Sequence, residues 1–463
     1  MIKFLSDNFL KTAFISLALF VLTVNSFGQT CPNVIQGQVL IDLVNQTDLP
    51  AVAAQYGLNP TPLDQVGAPP TYQMQITNGQ TPCQVIAAMQ GDLRIFQADT
   101  NKPLRYVESY DVSWTQGRSW AVGRSWAVTS STKAYGSQWF PDKIRLDQAH
   151  AISTGNNIKI AVLDTGIDLT HPAFAGKLVP GYDFVANDND PSEEGSLTPE
   201  LPYGHGTHVA GIIRLTAPDA KIMPIRVLNQ EGVSDLWTLK NAIIWAALHD
   251  AKIINMSFAY PENSASGSNT FLRDLMSGCD GVPVAGEQQF PEFNGKTLIF
   301  VAAAGNGGLI PDSGSTRKMY PAAESINSVS NIIGVGASTR YDKLADFSSM
   351  AIGRSGSERW VEAVAPGEGI VSAIPGGRYG VWSGTSMSAP IVAGIAALVQ
   401  QQNPGFIPQQ VLDQLKSQRG QEWDCRDVST NPRGYIFKTT RVDALCPLNI
   451  NACIFPPPTA CQQ

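Results

Sequence analysis

The stretch "IKIAVLDTGID", residues 158–168, is a run of apolar residues that ends abruptly at Asp164 and Gly166. A run without polar alternation is typical of a strand that is buried on both faces of a sheet. Further apolar runs follow, separated by segments of helical character, in "KIMPIRVL", "LWTLKNAIIWAALHD", "KIINMSF", "LIFVAAAG", "NIIGVGA" and "SMSAPIVAGIAALVQQ". This alternation predicts an α/β fold in which helices cover both faces of a mainly parallel sheet.

Three residues that could take part in catalysis lie where such a fold places functional sites, beyond the carboxyl ends of the strands. Asp164 ends the first strand, His205 opens a helix in "YGHGTHVAG" (residues 203–211), and Ser386 opens another in "SGTSMSAP". Each residue alone has an ordinary structural explanation, such as a turn or a helix end. Together they supply a nucleophile, a base and a carboxylate that orients the base, which indicates nucleophilic catalysis.

The two histidines of "YGHGTHVAG", His205 and His208, offer an alternative as metal ligands. A helical zinc motif needs histidines at i and i+4, a glutamate beside the first, and a further ligand. Here the chain has five histidines in all, these two are three residues apart, and the motif contains no glutamate. The spacing therefore favours His205 as a base and His208 as a packed structural histidine over a metallohydrolase.

Four sequence blocks resemble the signature motifs of the subtilisin-like serine proteases, family S8: "AVLDTGID", "GHGTHVAG", "VAAAGN" and "SGTSMSAP", in that order. The resemblance covers about residues 136–446. It implies a subtilisin-like three-layer α/β domain and a serine endopeptidase with Asp164, His205 and Ser386 as the catalytic triad. Asn306, between two glycines, is then the side-chain donor of the oxyanion hole.

The same resemblance assigns the substrate groove. The segments "GVS" and "SFA" resemble the two edge strands that pair with the substrate backbone. Ala259 stands where relatives usually have glycine, which narrows the mouth of the pocket before the scissile bond. Leu236 and Leu239 either form an apolar wall for the fourth residue before that bond or pack as ordinary helix residues. The predicted substrate-binding residues are Gly232, Val233, Ser234, Ser257, Phe258, Ala259, Ala303 and Gly305.

The acidic segment "GYDFVANDNDPSEE" offers carboxylate ligands for calcium in Asp183, Asp188 and Asp190. Clustered oxygen ligands on a loop suit this ion, and some relatives bind calcium in the matching loop. Ala186 occupies one expected ligand position, so the alternative is a solvated acidic loop. The resemblance implies that calcium, where it binds, is structural, and that the chemistry requires no cofactor.

The N-terminal segments have the character of targeting and maturation regions. Residues 1–28 show the charge, apolar core and small-residue order of a signal peptide, which predicts a secreted protein, extracellular or periplasmic. Residues 29–116 resemble the family's small α+β, ferredoxin-like propeptide, with a last strand in "LRYVESYDV". Residues 117–135, which contain the tandem "GRSWAVGRSWAV", form a linker. We predict self-cleavage between Val112 and Gln138.

Composition limits the partners. The formal net charge of −7 and the lack of a basic run give no reason to expect a nucleic-acid partner, and no segment after the signal peptide is apolar enough to be a membrane anchor. We expect a monomer whose partners are protein or peptide substrates and its own propeptide.

Seven cysteines fit an oxidising compartment without fixing their pairing. A cysteine- and proline-containing tail, residues 447–463, follows the catalytic domain.

Two alternatives within the family remain open. One is an inactive peptide-binding homologue, although no triad or oxyanion residue is missing. The other is a dedicated processing protease with one partner substrate, because the long segment between Phe258 and Leu298 lies beside the predicted pocket and could narrow specificity.

Overall fold

The computed structural model describes residues 31, 33–106, 132–196, 202–261, 270–280, 296–308, 318–327, 329–349, 360–416 and 440–449. The predicted signal peptide and the tandem repeat lie outside these residues, as does the tail from residue 450. The boundaries of those segments therefore stay predictions.

The N-terminal unit is a small α+β unit with the chain order β-α-β-β-α-β of ferredoxin-like units. It consists of β1 (Gln38–Leu43), α1 (Leu49–Tyr56), β2 (Asp64–Val66), β3 (Thr71–Gln75), α2 (Pro82–Met89) and β4 (Ile95–Asp99). The sheet order is β2-β3-β1-β4, and its pairings are antiparallel. Helix α1 is followed by Gly57 at φ 64°, a left-handed conformation that commonly ends helices.

The remaining described residues form an α/β domain. Its strands, together with β5, which enters it from the N-terminal unit, are β5 (Pro103–Tyr106), β6 (Lys159–Asp164), β7 (Tyr182–Asp183), β8 (Lys221–Arg226), β9 (Val233–Asp235), β10 (Ile253–Met256), β11 (Phe258–Pro261), β12 (Ile299–Ala303), β13 (Met319–Tyr320), β14 (Ile332–Ser338), β15 (Ala363–Pro366), β16 (Ile370–Ile374), β17 (Arg378–Trp382) and β18 (Thr440–Arg441). Its helices are α3 (Thr132–Gly136), α4 (Trp139–Lys143), α5 (Leu146–His150), α6 (His205–Thr216), α7 (Leu236–Leu248), α8 (Thr270–Ser277), α9 (Thr385–Gln402) and α10 (Pro408–Lys416).

The main sheet has eight strands in the order β18-β15-β14-β12-β10-β6-β8-β7, and the pairings between them are parallel. Its central strands are buried along nearly their whole length, as in β14, where every residue is buried. Helix α9 is buried from Thr385 to Val399 because it packs against α6 and against β10, β12, β14 and β15. The predicted α/β fold with a mainly parallel sheet is thereby confirmed.

A second, smaller sheet joins the N-terminal unit to the α/β domain. Its order is β13-β11-β5-β9, and β5 pairs antiparallel with both β9 and β11. The sequence predicts "LRYVESYDV" as the last strand of the N-terminal unit. Its described residues, 104–106, do form a strand, but the assignment of that strand to the sheet of the N-terminal unit is wrong, and residues 107–112 lie outside the described residues. The last strand of that sheet is β4, and Leu104 to Tyr106 lie in β5, which pairs with the α/β domain instead.

The cysteines are consistent with an oxidised protein. Cys31 forms a disulfide with Cys83, which ties the start of the N-terminal unit to α2. Cys446 is disulfide-bonded as well, and Cys279 is buried in the core. Within the described ranges, no helix is both long and apolar enough to cross a membrane.

Candidate active site

The predicted base and its orienting carboxylate are in direct contact. Asp164 is the last residue of β6 and His205 the first residue of α6. The Nδ1 atom of His205 lies 2.7 Å from Oδ1 of Asp164, which also accepts a hydrogen bond from the Thr165 amide at 2.8 Å. Both side chains are almost fully buried. A carboxylate at Nδ1 holds the proton there and turns Nε2 of the imidazole into the acceptor that a general base needs.

Two glycines let α6 begin this close to Asp164. Gly204, just before the helix, has φ 90°, in the left-handed region that favours glycine. At Gly206 a Cβ atom would lie 2.1 Å from the carbonyl oxygen of Gly166 and 3.0 Å from Cβ of Asp164. The motif "GHG" therefore places His205 between one residue that allows the turn and one that allows close helix packing.

The predicted nucleophile, Ser386, is buried near the start of α9. Its Oγ donates to the carbonyl oxygen of Ser257 at 3.2 Å, and Ser257 Oγ donates back to the carbonyl oxygen of Ser386 at 3.1 Å. The second bond has a clear cause, since Pro390 lacks the N–H that would normally bond that carbonyl within the helix. Ser257 directly follows β10, the neighbour of β6, so Ser386 is held at the same edge of the sheet as Asp164.

The predicted oxyanion donor, Asn306, is fixed by the residue before the nucleophile. Its Oδ1 accepts hydrogen bonds from the backbone N–H and the hydroxyl of Thr385, both at 2.9 Å. Thr385 Oγ1 in turn accepts from the Gly305 amide at 3.0 Å. With Oδ1 engaged in this way, the Nδ2 group is the end of the amide that can donate to a substrate oxygen.

The predicted groove strands are present, and they hold a segment of the same chain. In β5, Leu104 pairs with Ser234, and Arg105 pairs with Val233 on one side and Ala259 on the other. The next residue, Tyr106, pairs with Phe258. The strand thus lies antiparallel between two edges, in the manner of a peptide bound by β-augmentation. It runs toward Ser257, which contacts the predicted nucleophile.

Side chains around this strand agree with an apolar subsite. Leu104 is fully buried, and it belongs to the same core cluster as Leu236 and Leu239. Both of those leucines are themselves buried in α7, which agrees with ordinary helix packing, and their role as a wall of the subsite stays a prediction. Ala303, at the end of β12, and Gly305, with φ 96°, lie next to Asn306.

The N-terminal unit also caps the helix that follows β9. The Leu236 amide donates to the carbonyl oxygen of Lys102 at 3.0 Å, and the Trp237 amide donates to Oδ1 of Asn101 at 3.2 Å. The Trp237 indole N–H donates to Asp64 at 3.0 Å. Free N–H groups at the start of α7 therefore find acceptors on the N-terminal unit.

His208 does not take part in this site. Its ring is stacked on Trp382, with centroids 4.6 Å apart and planes 3° from parallel, and its Nε2 donates to the Gly380 carbonyl at 3.2 Å. Burial lowers the pKa of His208 to about 3, so the ring is neutral at physiological pH. These contacts agree with a packed structural histidine.

An arginine side chain already neutralises part of the acidic loop. Arg226, at the end of β8, is buried and donates from Nη1 to Asp183 at 2.7 Å and from Nη2 to Glu194 at 2.7 Å. The other carboxylate oxygen of Asp183 accepts from the backbone amides of residues 185 and 186. Asp183 is therefore already neutralised, and the guanidinium would repel a second cation.

The other predicted calcium ligands bond locally. Asp188 accepts from the Asp190 amide at 2.8 Å, and Asp190 accepts from the Ser192 amide at 3.2 Å. The described part of the chain contains no group of three histidine, cysteine or acidic side chains that could hold a metal. These residues do not fit the predicted calcium site, and calcium binding stays an untested prediction.

Three contact residues were not predicted. Thr165 and Thr385 each stand beside a predicted functional residue, so their place in the motifs could have signalled them. Glu193 lies in no motif, yet its carboxylate bonds the start of α6. Glu193 reaches the start of α6 only through the tertiary fold, so the sequence pattern gives no signal for this contact.

The fold is therefore a parallel α/β sheet with its candidate site at the carboxyl edge, the class in which ligands and substrates bind at that edge. Residues 155–426 match the model of the subtilase family, peptidase S8. The chain belongs to that family.

Individual relatives agree with this assignment. The chain is 35% identical over 323 residues to a thermophilic serine proteinase of Bacillus sp. strain AK1, which covers 66% of each chain. It is 35% identical over 274 residues to subtilisin E of Bacillus subtilis strain 168, or 57% of this chain and 61% of that protein. With thermitase of Thermoactinomyces vulgaris it shares 37% identity over 284 residues, or 59% of this chain and 84% of the relative. The chain thus spans less than two thirds of the length of the first two relatives.

A solved structure agrees with the fold. The crystal structure of fervidolysin from Fervidobacterium pennivorans, described as a keratinolytic enzyme related to subtilisin, superimposes with a TM-score of 0.64 at 21% identity. The match covers 90% of this chain and 62% of that one. At this level of identity the likeness concerns the fold alone.

Proposed function

We propose that this chain is a serine endopeptidase that is made as a self-processed, exported zymogen. One observation carries the proposal most strongly. A strand of the chain itself, β5, lies as a bound peptide between two edge strands and points at Ser257, whose carbonyl oxygen contacts the Ser386 hydroxyl. Membership of the subtilase family and the 2.7 Å contact between His205 and Asp164 support the same reaction.

In the proposed reaction, Ser386 Oγ attacks the carbonyl carbon of the scissile bond while His205 removes its proton. Asp164 holds the imidazole and stabilises its cation. The developing oxyanion accepts hydrogen bonds from Asn306 Nδ2 and from the Ser386 N–H at the positive end of α9. His205 passes the proton to the leaving amine, and water then hydrolyses the acyl-enzyme by the same steps.

The proposed substrates are extended polypeptides. Pairing with β9 and β11 uses backbone N–H and C=O groups, which every peptide offers, so this part of recognition is independent of sequence. The complete burial of Leu104 in the core of the α/β domain supports a preference for an apolar residue at the corresponding substrate position.

We propose that the N-terminal unit is the inhibitory propeptide and that the chain cuts itself just after β5. Residues 107–131 lie outside the described residues, so the position rests on the register of β5 alone. Tyr106 pairs with Phe258, and if the antiparallel register continued by one residue, residue 107 would face Ser257, so we propose the bond 107–108 as the cleavage site. Leu104 is then the fourth residue before that bond. This position precedes the window between Val112 and Gln138 that the sequence suggests.

The first prediction tests the nucleophile and the cleavage site together. We expect wild type to yield a product that begins at residue 108, whereas Ser386→Ala accumulates the precursor, because removing a triad residue leaves only residual catalysis. N-terminal sequencing of protein from a host without other proteases is the measurement. Ser388→Ala is the matched control, since this serine lies in the same helix and its hydroxyl donates to the backbone carbonyls of residues 365 and 366.

Processing of Ser386→Ala at the same place would refute self-cleavage. Labelling of wild type by a serine-directed phosphonofluoridate, absent in Ser386→Ala, separates an active enzyme from an inactive peptide-binding homologue. A mature N-terminus between residues 112 and 138 would support the later window and contradict the register.

Export is proposed on separate grounds. The signal-like residues 1–28 and the disulfide between Cys31 and Cys83 both suit a compartment outside the cytosol. Cell fractionation should find the full chain outside the cytosol, and a chain that starts at residue 29 inside it. Cytosolic retention of both forms would contradict the proposal.

A further inference from the structure

One acidic side chain outside the predicted site bonds both of the segments that carry His205 and Asp164. Glu193 lies in the acidic loop between β7 and α6. Its Oε2 accepts from the Gly204 amide at 2.7 Å, and its Oε1 accepts from the Thr207 amide at 2.9 Å. Oε1 also accepts from the hydroxyls of Thr207 and Thr165, each at 3.1 Å.

These bonds complete the N-terminus of α6. The first N–H groups of a helix have no partner within the helix, and Gly204 has no side chain that could cap them. The His205 amide donates to the Pro202 carbonyl at 2.8 Å, and the Gly206 amide donates to Thr165 Oγ1 at 3.0 Å. Glu193 takes the amides of Gly204 and Thr207. A carboxylate at this end of the helix is also favoured by the helix dipole.

The same carboxylate reaches the loop that follows Asp164. The Thr165 hydroxyl lies 3.1 Å from Glu193 Oε1 and 3.3 Å from Asp164 Oδ1. Because it has one proton, it can donate to only one of the two carboxylates at a time. Burial raises the pKa of Glu193 to about 7 against the effect of the donated bonds, and the Asp164 carboxylate adds to this rise.

The loop that carries Glu193 is itself anchored. Arg226 binds Asp183 at one end of the loop and Glu194 at the other, each at 2.7 Å. Arg226 directly precedes the turn after β8, the strand next to β6. The position of Glu193 is therefore set by the same sheet that sets Asp164.

We propose that Glu193 is a positioning residue, which keeps His205 in register with Asp164 by joining the start of α6 to the loop after β6. It touches neither the reacting atoms nor the substrate. The expected effect of Glu193 on the reaction rate rests on the proposed serine endopeptidase function. Its effect on the position of the start of α6 does not depend on that function. Since misplacement of a catalytic group by about 1 Å can cost about a hundredfold in rate, the turnover number should respond more than substrate binding.

The test compares Glu193→Gln, Glu193→Ala and Glu193→Asp with Glu194→Gln in the full chain after self-processing. Glu194→Gln removes the same charge one residue away but keeps the loop anchored. The glutamine carbonyl oxygen can still accept from Arg226, the Glu194 side chain is half exposed so that its ion pair contributes little, and the buried pair of Arg226 with Asp183 stays intact. We expect Glu193→Gln and Glu193→Ala to lower kcat about 10- to 100-fold, with KM within about twofold. Glu193→Asp should recover part of the loss because it keeps a carboxylate, and Glu194→Gln should stay near wild type.

A second measurement needs no proteolysis. In the Ser386→Ala background, hydrogen exchange at the amides of Gly204 and Thr207 should become faster in Glu193→Ala and stay unchanged in Glu194→Gln. If exchange and kcat are both unaffected, Glu193 has no positioning role. If kcat falls, KM changes as well and the free energy of unfolding falls with them, the role of Glu193 is merely structural. If wild type cleaves no peptide while the exchange result holds, only the proposed enzyme function fails.

Discussion

The side-chain amide of Asn306 is held in one orientation by its neighbours. Its carbonyl oxygen accepts two hydrogen bonds from Thr385, and this fixes the direction in which its NH2 group can donate. The sequence predicts Asn306 from its motif, and it predicts Asp164, His205 and Ser386 in the same way. Thr385 and Thr165, which fix these side chains, follow from the motifs only after their contacts are known, since a threonine next to a functional residue has many ordinary reasons to be there.

We expect Asn306→Ala to lower kcat about 10²–10³-fold, or about 2.7–4 kcal/mol, with little change in KM. That magnitude was established for the equivalent asparagine of subtilisin, so only its transfer to this chain is tested. The reason is that, in the proposed reaction, the amide donates to an oxygen whose charge develops in the transition state. Steady-state kinetics with a peptide substrate measure the effect, and Asn156→Ala, at an exposed loop residue, is the control. A change confined to KM would mean that Asn306 binds the ground state.

At the scale of elements, the close approach of α6 to the loop after β6 decides the geometry of the site. The sequence predicts both elements because their apolar patterns are local. It does not predict how near they come, since that distance depends on Gly206 lying against Gly166 and on Glu193 arriving from another loop. Pairings of β5 with β9 and β11 join residues more than a hundred positions apart, and no periodicity in the sequence encodes them.

We expect Gly206→Ala to destabilise the fold by about 1–3 kcal/mol or more, because the new Cβ meets backbone that cannot yield without moving the helix. Urea unfolding in the Ser386→Ala background, where self-digestion is absent, provides the measurement. Gly136→Ala is the control, since a Cβ atom added at Gly136 would meet nothing within 4 Å. Equal unfolding midpoints for the two variants would show that α6 can shift freely.

At the scale of the whole molecule, the N-terminal unit and the α/β domain meet through charged as well as apolar groups. The Lys240 ammonium of α7 is buried and bonds the Thr71 hydroxyl of β3. Burial raises the pKa of Asp42 in β1, although the charge of Lys240 and the bond to Thr71 oppose the rise. The sequence predicts both units and their order along the chain. This contact between them depends on tertiary structure and could not be predicted.

Asp42 lies close enough to Lys240 of α7 for the two charges to interact, so we expect part of the burial that raises the pKa of Asp42 to come from this contact. On that basis the cleaved N-terminal unit should be held less tightly as pH rises. A carboxyl whose pKa is higher in the complex than in the free unit takes up a proton on binding, so affinity falls between its ordinary pKa and the raised value. The dissociation constant of the processed complex, measured across the acidic range, should show this dependence in wild type and lose it in Asp42→Asn. Asp92→Asn is the control, because Asp92 bonds Tyr56 and Arg94 inside the unit. An unchanged pH dependence in Asp42→Asn would contradict the assignment.

If the chain cuts itself after β5 as proposed, the strand has a further consequence. While the peptide bond is intact, the covalent link to the α/β domain keeps β5 beside its groove at a high effective concentration, so the blocked state is independent of dilution. After cleavage, the two fragments are separate molecules in equal number, and the blocked fraction depends on their concentration relative to the dissociation constant. The cleaved complex would therefore stay blocked where its concentration exceeds the dissociation constant. It would become active on dilution below that value, with no other signal.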